Sequence, residues 1–322
     1  MGREVSVVLI AWNSERWLSR CLESLADQKV DGGTIRLVAI DNASVDRSAE
    51  ILESASPAVM IRNEENVGFS RAANQGIAAS GGEWILFLNP DVRLEPGYIE
   101  HCIRALESAG PRFGSATGTL YRAIGDAMQA SSRLDTRGIR MTKSGRHLDI
   151  TDPLPPVSDG AVEVFGPSGA AAIYRRGCLD DLAIAGEIFD EDFFAYREDA
   201  DLAWRARLFG WRSLHVPEAI GYHVRRVTPE VRGSLPPEIN LHSVKNRFLL
   251  RIKNEGAHLA FRHALWELSR DIIVLAATFT VERSSLPAWR WLWQHRARVL
   301  EKRRMVQSRR TVSDREIARW FR

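Results

Sequence analysis

Six carboxylates crowd the stretch Phe189–Arg205, FDEDFFAYREDADLAWR: Asp190, Glu191, Asp192, Glu198, Asp199 and Asp201. Phe189, Phe193, Phe194 and Tyr196 lie among them. Like charges beside apolar surface raise one another's pKa, and a carboxylate poised in that way suits general-base chemistry. Asp199 and Asp201 also fall where a helix would begin, a place that favours negative charge with no catalytic purpose. Leu202, Ala206 and Phe209 would anchor that helix to a core.

Other polar residues gain meaning from their places at the ends of apolar runs. Trp12 and Asn13 follow VSVVLIA, Asp41, Asn42 and Ser44 follow RLVAI, and Asn89, Pro90 and Asp91 follow WILFL. In an open α/β sheet, ligands bind beyond the carboxyl ends of the strands. There Asp41 could accept hydrogen bonds from a base or ribose, and Asp91 could hold a divalent cation on a diphosphate. Asp, Asn and Ser also serve as ordinary turn and cap residues. The segment Asn66–Gly76, NVGFSRAANQG, adds a glycine that admits close backbone approach. It also carries Arg71, which with a helix N-terminus could meet phosphate. His223 closes a further expected strand. A lone histidine is as a rule a core or surface residue, and only its neighbours could make it a ligand.

The elements that must position these groups alternate regularly over the first 110 residues. Strands are expected at Val5–Ala11, Arg36–Ile40, Ala58–Ile61 and Trp84–Leu88. Helices should follow from Ser14, from Ser44, over Ser70–Ala79 and after Pro96, each with apolar residues at helical spacing. Such strand–helix repetition predicts a mostly parallel α/β sheet with helices on both faces. Residues 111–160 break the pattern and read as strands with a variable loop, punctuated by Pro153, Pro155 and Pro156. Order returns at Gly169–Tyr174, then a helix over Asp199–Phe209 and two short strands near Leu214–Val216 and Ile220–His223. From Asn240 the chain reads as helical, with Leu265, Leu268, Ile272, Leu275, Ala276 and Phe279 as an apolar stripe.

The chain has 322 residues, 45% hydrophobic and 26% charged, which excludes a disordered or collagen-like protein. Cys21, Cys102 and Cys178 are too far apart for a disulfide framework or zinc site, so a reducing compartment is the default. Neither a secretory signal nor a run long enough to span a bilayer is expected. The net charge of +3 averages two unlike pieces. Residues 1–240 carry −8 and residues 241–322 carry +11, with five of the ten tryptophans in the latter. That divides the chain into a catalytic domain over 1–240 and a basic, Trp-rich helical extension over 241–322. The extension reads either as a solvated packing domain or as a membrane-surface helix pair, with Trp289, Trp291 and Trp293 at the interface. Nucleic acid is not an expected partner, because no recognition fold accompanies the charge.

The motifs VSVVLIAWN, AIDNASVD, NVGFSRAANQG, LFLNPDV, GPSGAAAIYRR, FDEDFFAYREDADLAWRARLFGW and VPEAIGYH together resemble the family 2 inverting glycosyltransferases of GT-A fold. The likeness is greatest to bacterial rhamnosyltransferase-like members acting in cell-wall and O-antigen assembly, and it covers residues 5–223. It implies a nucleotide diphospho-sugar donor, best read as dTDP-rhamnose, and a saccharide acceptor, free or lipid-linked. By that resemblance Trp12, Asn13, Asp41 and Asn42 surround the nucleoside, and Asn66, Gly68, Arg71 and Asn74 lie near ribose and diphosphate. Asp91 matches the last acid of the family's DxD metal motif. Asn89 replaces the first acid, leaving one charged ligand for a Mg2+ or Mn2+ ion. His223 matches the family's late histidine, a second metal or phosphate contact. The following VRRVTP departs from the usual Gly/Ser-rich continuation, so Arg225 or Arg226 is an alternative carrier of the diphosphate charge. Asp199 matches the catalytic base of the family's ED motif. The implied location is cytoplasmic, peripheral on the inner face of the plasma membrane. Two readings stand beside this one. The first is a family 2 transferase using galactofuranose, glucose or N-acetylglucosamine. The second is an inactive nucleotide-sugar-binding scaffold, which retention of both Asp91 and Asp199 disfavours.

Overall fold

A computed structural model of the chain describes residues 3–152, 154, 160–225 and 237–322. Arg226 and the prolines Pro153, Pro155 and Pro156 lie outside the described residues. The first half builds as its periodicity dictates: β1 (Arg3–Ala11), α1 (Glu15–Ala26), β2 (Gly33–Asp41), α2 (Ser48–Ser54), β3 (Val59–Arg62), α3 (Gly68–Ala79) and β4 (Trp84–Leu88). Because successive strand side chains point to opposite faces, β1 feeds two cores. Val5, Val7 and Leu9 pack with Leu18 and Cys21 of α1, while Val8 packs on the other face with Ala73 and Ile77 of α3. The remaining elements up to the last strand are β5 (Val92–Leu94), α4 (Tyr98–Ala109), β6 (Phe113–Ile124), β7 (Gln129–Thr136), β8 (Ile139–Met141), β9 (His147–Asp149), β10 (Val162–Val164), β11 (Ala171–Arg175), α5 (Arg176–Asp181), α6 (Glu198–Leu208) and β12 (Arg212–His223).

Among the described residues the main sheet has ten strands in the order β10-β12-β6-β11-β4-β1-β2-β3, with β5 against β12 and β7 against β6. β4, β1, β2 and β3 run parallel, as do β6 and β12, while β11 is antiparallel to both of its neighbours. The mostly parallel sheet with helices on both faces is the fold class the sequence predicts.

Three local expectations change. α2 begins at Ser48 rather than Ser44, because Ser44 is held in a turn: its N–H points to the Asp41 carboxylate at 3.3 and 3.4 Å. The two short strands before His223 are one strand, β12, whose pairing with β6 shifts register between Val216 and Ile220. The stretch 111–160 supplies β6 to β9, of which β8 and β9 line the site described below.

The C-terminal part is helical, as expected: α7 (Pro237–Asn254), α8 (Ala257–Thr280), α9 (Leu286–Gln294), α10 (Arg296–Ser308) and α11 (Asp314–Ile317). Residue 240 falls inside α7, and Leu249, Leu250, Leu259, Val299, Val306 and Phe321 share one core with Phe193, Leu202 and Trp204. Charge joins the same pieces. Asp201, fully buried on α6, meets Arg205 at 2.9 Å, Lys253 at 3.0 Å and the Asn254 amide at 2.7 Å. Lys302 reaches Asp190 at 2.6 Å and Asp192 at 3.1 Å, and Arg298 also holds Asp192. Burial alone would raise Asp190; Lys253 and Lys302 outweigh it and hold the carboxyl far below the usual range. Three of the six clustered carboxylates are therefore neutralised internally, by cations that the extension contributes.

Candidate active site

Two of the remaining carboxylates, Glu198 and Asp199, open into a cavity of about 600 Å³ at the carboxyl edge of the sheet. Asn89 and Asp91 reach it from the end of β4, Ser168 and Gly169 from the loop before β11, and His223 from the end of β12. The hairpin β8–β9 contributes Ile139, His147 and Asp149.

Asp199 occupies the first turn of α6, where the helix dipole favours its charge. Its Oδ1 accepts the Ala200 N–H at 2.7 Å and its Oδ2 accepts the Gly169 N–H at 3.3 Å. A Cβ at residue 169 would stand 3.1 Å from Oδ2, so a glycine there leaves the carboxylate its room. Burial raises the pKa of Asp199 above the ordinary carboxylate range despite these bonds. Its neighbour Glu198 has a buried Oε2 with no hydrogen-bond partner among the described residues. Burial, then the Asp199 charge, pushes Glu198 up to about 8.

Opposite them stands a histidine between two acids. The Nε2 of His223 lies 3.5 Å from Asp91 Oδ1, and its Nδ1 lies 2.8 Å from Asp135 Oδ2. Burial works to lower this histidine, but Asp91 and Asp135 outweigh it and raise it to about 9. Asp135 is itself buried and is met by Arg122 at 2.7 Å and Arg225 at 3.5 Å. Among the described residues no three His, Cys, Asp or Glu side chains form a metal cage. Raised to about 9, the imidazole carries a proton on both nitrogens near neutral pH, so Nε2 becomes a nitrogen donor beside the oxygen donor Asp91 Oδ1 only when a cation displaces that proton. That pair fits a hard cation that takes its other ligands from water and substrate phosphate.

The remaining predicted residues divide. Trp12 and Asn13 follow β1, Asp41 ends β2 and Asn42 follows it, so they lie along the same sheet edge beyond the cavity. Asn13, at φ 49°, accepts the Val45 N–H with its side chain at 2.9 Å, which joins the two loops. Trp12 is half-exposed. Asn42 and Asn66 are bonded to each other at 2.8 Å. Arg71, on the first turn of α3, stands 4.0 Å from Glu191 with its side chain largely in solvent. Asn66, Gly68, Arg71 and Asn74 do not enter the cavity. A Cβ on Gly68 (φ +81°) would lie 2.6 Å from the Phe194 ring, so the close approach it permits is to Phe194. Asn74 bonds the Phe189 backbone through both amide atoms, at 2.8 and 2.9 Å, and so fixes the acidic loop on α3.

Sequence reasoning missed Asp135, Arg146, His147, Asp149 and Arg197. Four of these lie in the stretch 111–160, where no motif marks them. Asp149 is salt-bridged to Arg225, so that the guanidinium is shared between two acids. His147 stands 3.2 Å from Arg197; burial, then Arg197, Arg225 and Arg146, keep it neutral with a pKa near 3.

Residues 6–181, more than half of the chain, match the family described as "Glycosyl transferase family 2". Among curated proteins, the chain is 29% identical over 241 residues to an N-acetylglucosaminyl-diphospho-decaprenol L-rhamnosyltransferase of Mycobacterium tuberculosis, covering 67% of this chain and 75% of that one. It is 33% identical over 103 residues to EpsH of Bacillus subtilis, covering 31% of this chain, and so spans under a third (29%) of that relative. Among solved structures, GalNAc-T7 with UDP, GalNAc and Mn2+ superposes with a TM-score of 0.61 at 16% identity, covering 78% of this chain and 49% of that chain. That likeness shows the shared fold.

Proposed function

The chain belongs to glycosyl transferase family 2, and from that premise we propose that it is an inverting hexosyltransferase. It moves L-rhamnose from dTDP-rhamnose to a lipid-linked saccharide in cell-surface polysaccharide assembly. One observation carries the reading: a single cavity joins Asp199, a carboxylate with a raised pKa, to the facing pair Asp91 and His223. The mycobacterial relative, named for rhamnosyl transfer and for a diphospho-decaprenol, supports the donor and the acceptor.

Asp41 and Asn42, with Trp12 and Asn13 beside them, hold the nucleoside at the ends of β1 and β2. Asn89 and Arg71 serve the sugar and diphosphate side. The backbone amides of Gly169 and Ala200 fix the Asp199 carboxylate, which accepts a hydrogen bond from the acceptor hydroxyl. As the hydroxyl oxygen attacks the anomeric carbon, its proton passes to Asp199 and the bond from that carbon to the diphosphate oxygen breaks on the opposite face. One displacement needs one base and no carboxylate nucleophile, unlike a retaining glycosidase. A Mg2+ or Mn2+ ion held by Asp91 and His223 would neutralise charge on the departing diphosphate. The acceptor's lipid brings the enzyme to the inner face of the plasma membrane, where the C-terminal helices meet the surface. None of the described helices is long and apolar enough to cross it.

The test is a donor panel of dTDP-rhamnose, UDP-glucose, UDP-N-acetylglucosamine and UDP-galactofuranose with Mg2+ or Mn2+. Nucleotide release is the first readout and the anomeric configuration of the product by NMR the second. Fastest release from dTDP-rhamnose with inversion is expected. Faster release from another donor would reassign the sugar, and a retained configuration would overturn the mechanism.

A further inference from the structure

The apolar stripe of α8 faces outward. Phe261, Leu265, Leu268, Ile272, Leu275 and Phe279 recur every three or four residues and are all exposed, Phe261 and Leu265 at 85% and 79%. At 100° per residue they fall within about 80° of the helix circumference. With 24 residues at 1.5 Å rise each, the helix is about 36 Å long. Its inward face is the polar one. Leu259, His263, Glu267 and Thr278 are buried there, and Arg251 pairs with Glu267 at 2.6 Å and Asp271 at 2.7 Å. A helix whose polar side faces the protein and whose apolar side faces out is the inverse of a water-facing surface helix.

Basic groups stand at both ends of this stripe. Beside Phe261, a cleft of about 440 Å³ is lined by His258, Arg262, Arg315 and Arg319. The three arginines form no salt bridge among the described residues. At the far end comes Arg283, whose Nε donates to the Phe279 carbonyl at 3.3 Å. On α9 the exposed Trp293 carries the Arg296 guanidinium 4.3 Å from its ring centroid. Trp289 and Trp291, in contrast, turn inward: Trp289 packs on Phe248 at 4.8 Å and Trp291 stacks on His295 at 4.3 Å. Of the three tryptophans expected at a membrane interface, only Trp293 is exposed.

We propose that α8 lies flat in the headgroup region of an anionic lipid bilayer, its apolar stripe in the acyl boundary and the His258–Arg262–Arg315–Arg319 cleft holding lipid phosphate. Charge selects this occupant over a second copy of the chain. Whichever way two stripes are laid together, arginines at one end meet arginines of the other copy. The inference rests on the membrane part of the proposed function and specifies its surface.

The test is flotation of the full chain with vesicles of equal parts phosphatidylglycerol and phosphatidylcholine, and with phosphatidylcholine alone. Wild type is expected to float with the first and not the second. The double variant Leu265→Glu/Ile272→Glu should lose at least about tenfold in vesicle partition. The triple variant Arg262→Glu/Arg315→Glu/Arg319→Glu should lose the preference for phosphatidylglycerol. All these side chains are exposed, so Tm and nucleotide release with a water-soluble acceptor should match wild type. Unchanged flotation in either variant, or failure of wild type to float, overturns the proposal. So does a dimer in light scattering that the double variant abolishes. Nucleotide release reports separately: if it is absent in wild type, the transferase reading fails whatever the flotation shows.

Discussion

Asp135 does not line the cavity, yet it decides how His223 presents itself. By holding Nδ1 at 2.8 Å it leaves Nε2 to face Asp91, and a carboxylate behind a ligating histidine raises that ligand's basicity. Asp135→Asn should weaken Mn2+ affinity by about 10–100-fold, readable by titration calorimetry on the folded variant without turnover, and should also lower Tm because Arg122 and Arg225 lose a buried partner. An unchanged affinity would leave Asp135 a purely structural acid. Gly169 acts on Asp199 in a similar indirect way. Gly169→Ala places a methyl 3.1 Å from the carboxylate oxygen, so kcat should fall with nucleotide binding intact. Asp199 and His223 could be singled out from sequence because motifs surround them. Asp135 could not, since nothing near it in the chain distinguishes a buried acid from a surface one.

At the scale of elements, α6 divides the acidic cluster between two tasks. Glu198 and Asp199 at its start face the cavity, whereas Asp201 points into the core against Arg205 and Lys253. Sequence showed six carboxylates among aromatic residues but not this division, because the neutralising Lys253 and Lys302 lie 52 or more positions away. Breaking a buried pair strands the surviving charge, so Lys253→Met should destabilise the protein by roughly 3–5 kcal/mol in urea unfolding. A loss within about 0.5 kcal/mol would mean that Asp201 finds other partners at no penalty. The strands were legible for the opposite reason: β1 and β4 are continuous apolar runs whose burial on both faces follows from local composition. The helix α8 was legible as amphipathic, but not which of its faces the protein would cover.

For the molecule as a whole, the split between a −8 body and a +11 extension is in part an internal ion-pair system. Because α7 to α11 share the core of the sheet, residues 1–240 alone should fail to give a cooperative thermal transition. A transition in that fragment matching the full chain would show that the extension is dispensable for folding. Proton linkage adds a second global consequence. Glu198 is raised in the folded state, so it holds its proton more tightly than in the unfolded chain. Its contribution to stability is complete below its ordinary value of about 4.5 and lost as pH rises through about 8. Glu198→Gln should therefore raise Tm near about pH 9 and change it little near about pH 5. An equal shift at both pH values would contradict the raised carboxyl. The central claim is that Asp199 takes the acceptor proton, and pre-steady-state nucleotide release by Asp199→Asn, paired with calorimetric binding of the donor nucleotide, tests it most directly. Turnover lower by at least about 100-fold with nucleotide affinity unchanged is the predicted result, and turnover within a few-fold of wild type would contradict it.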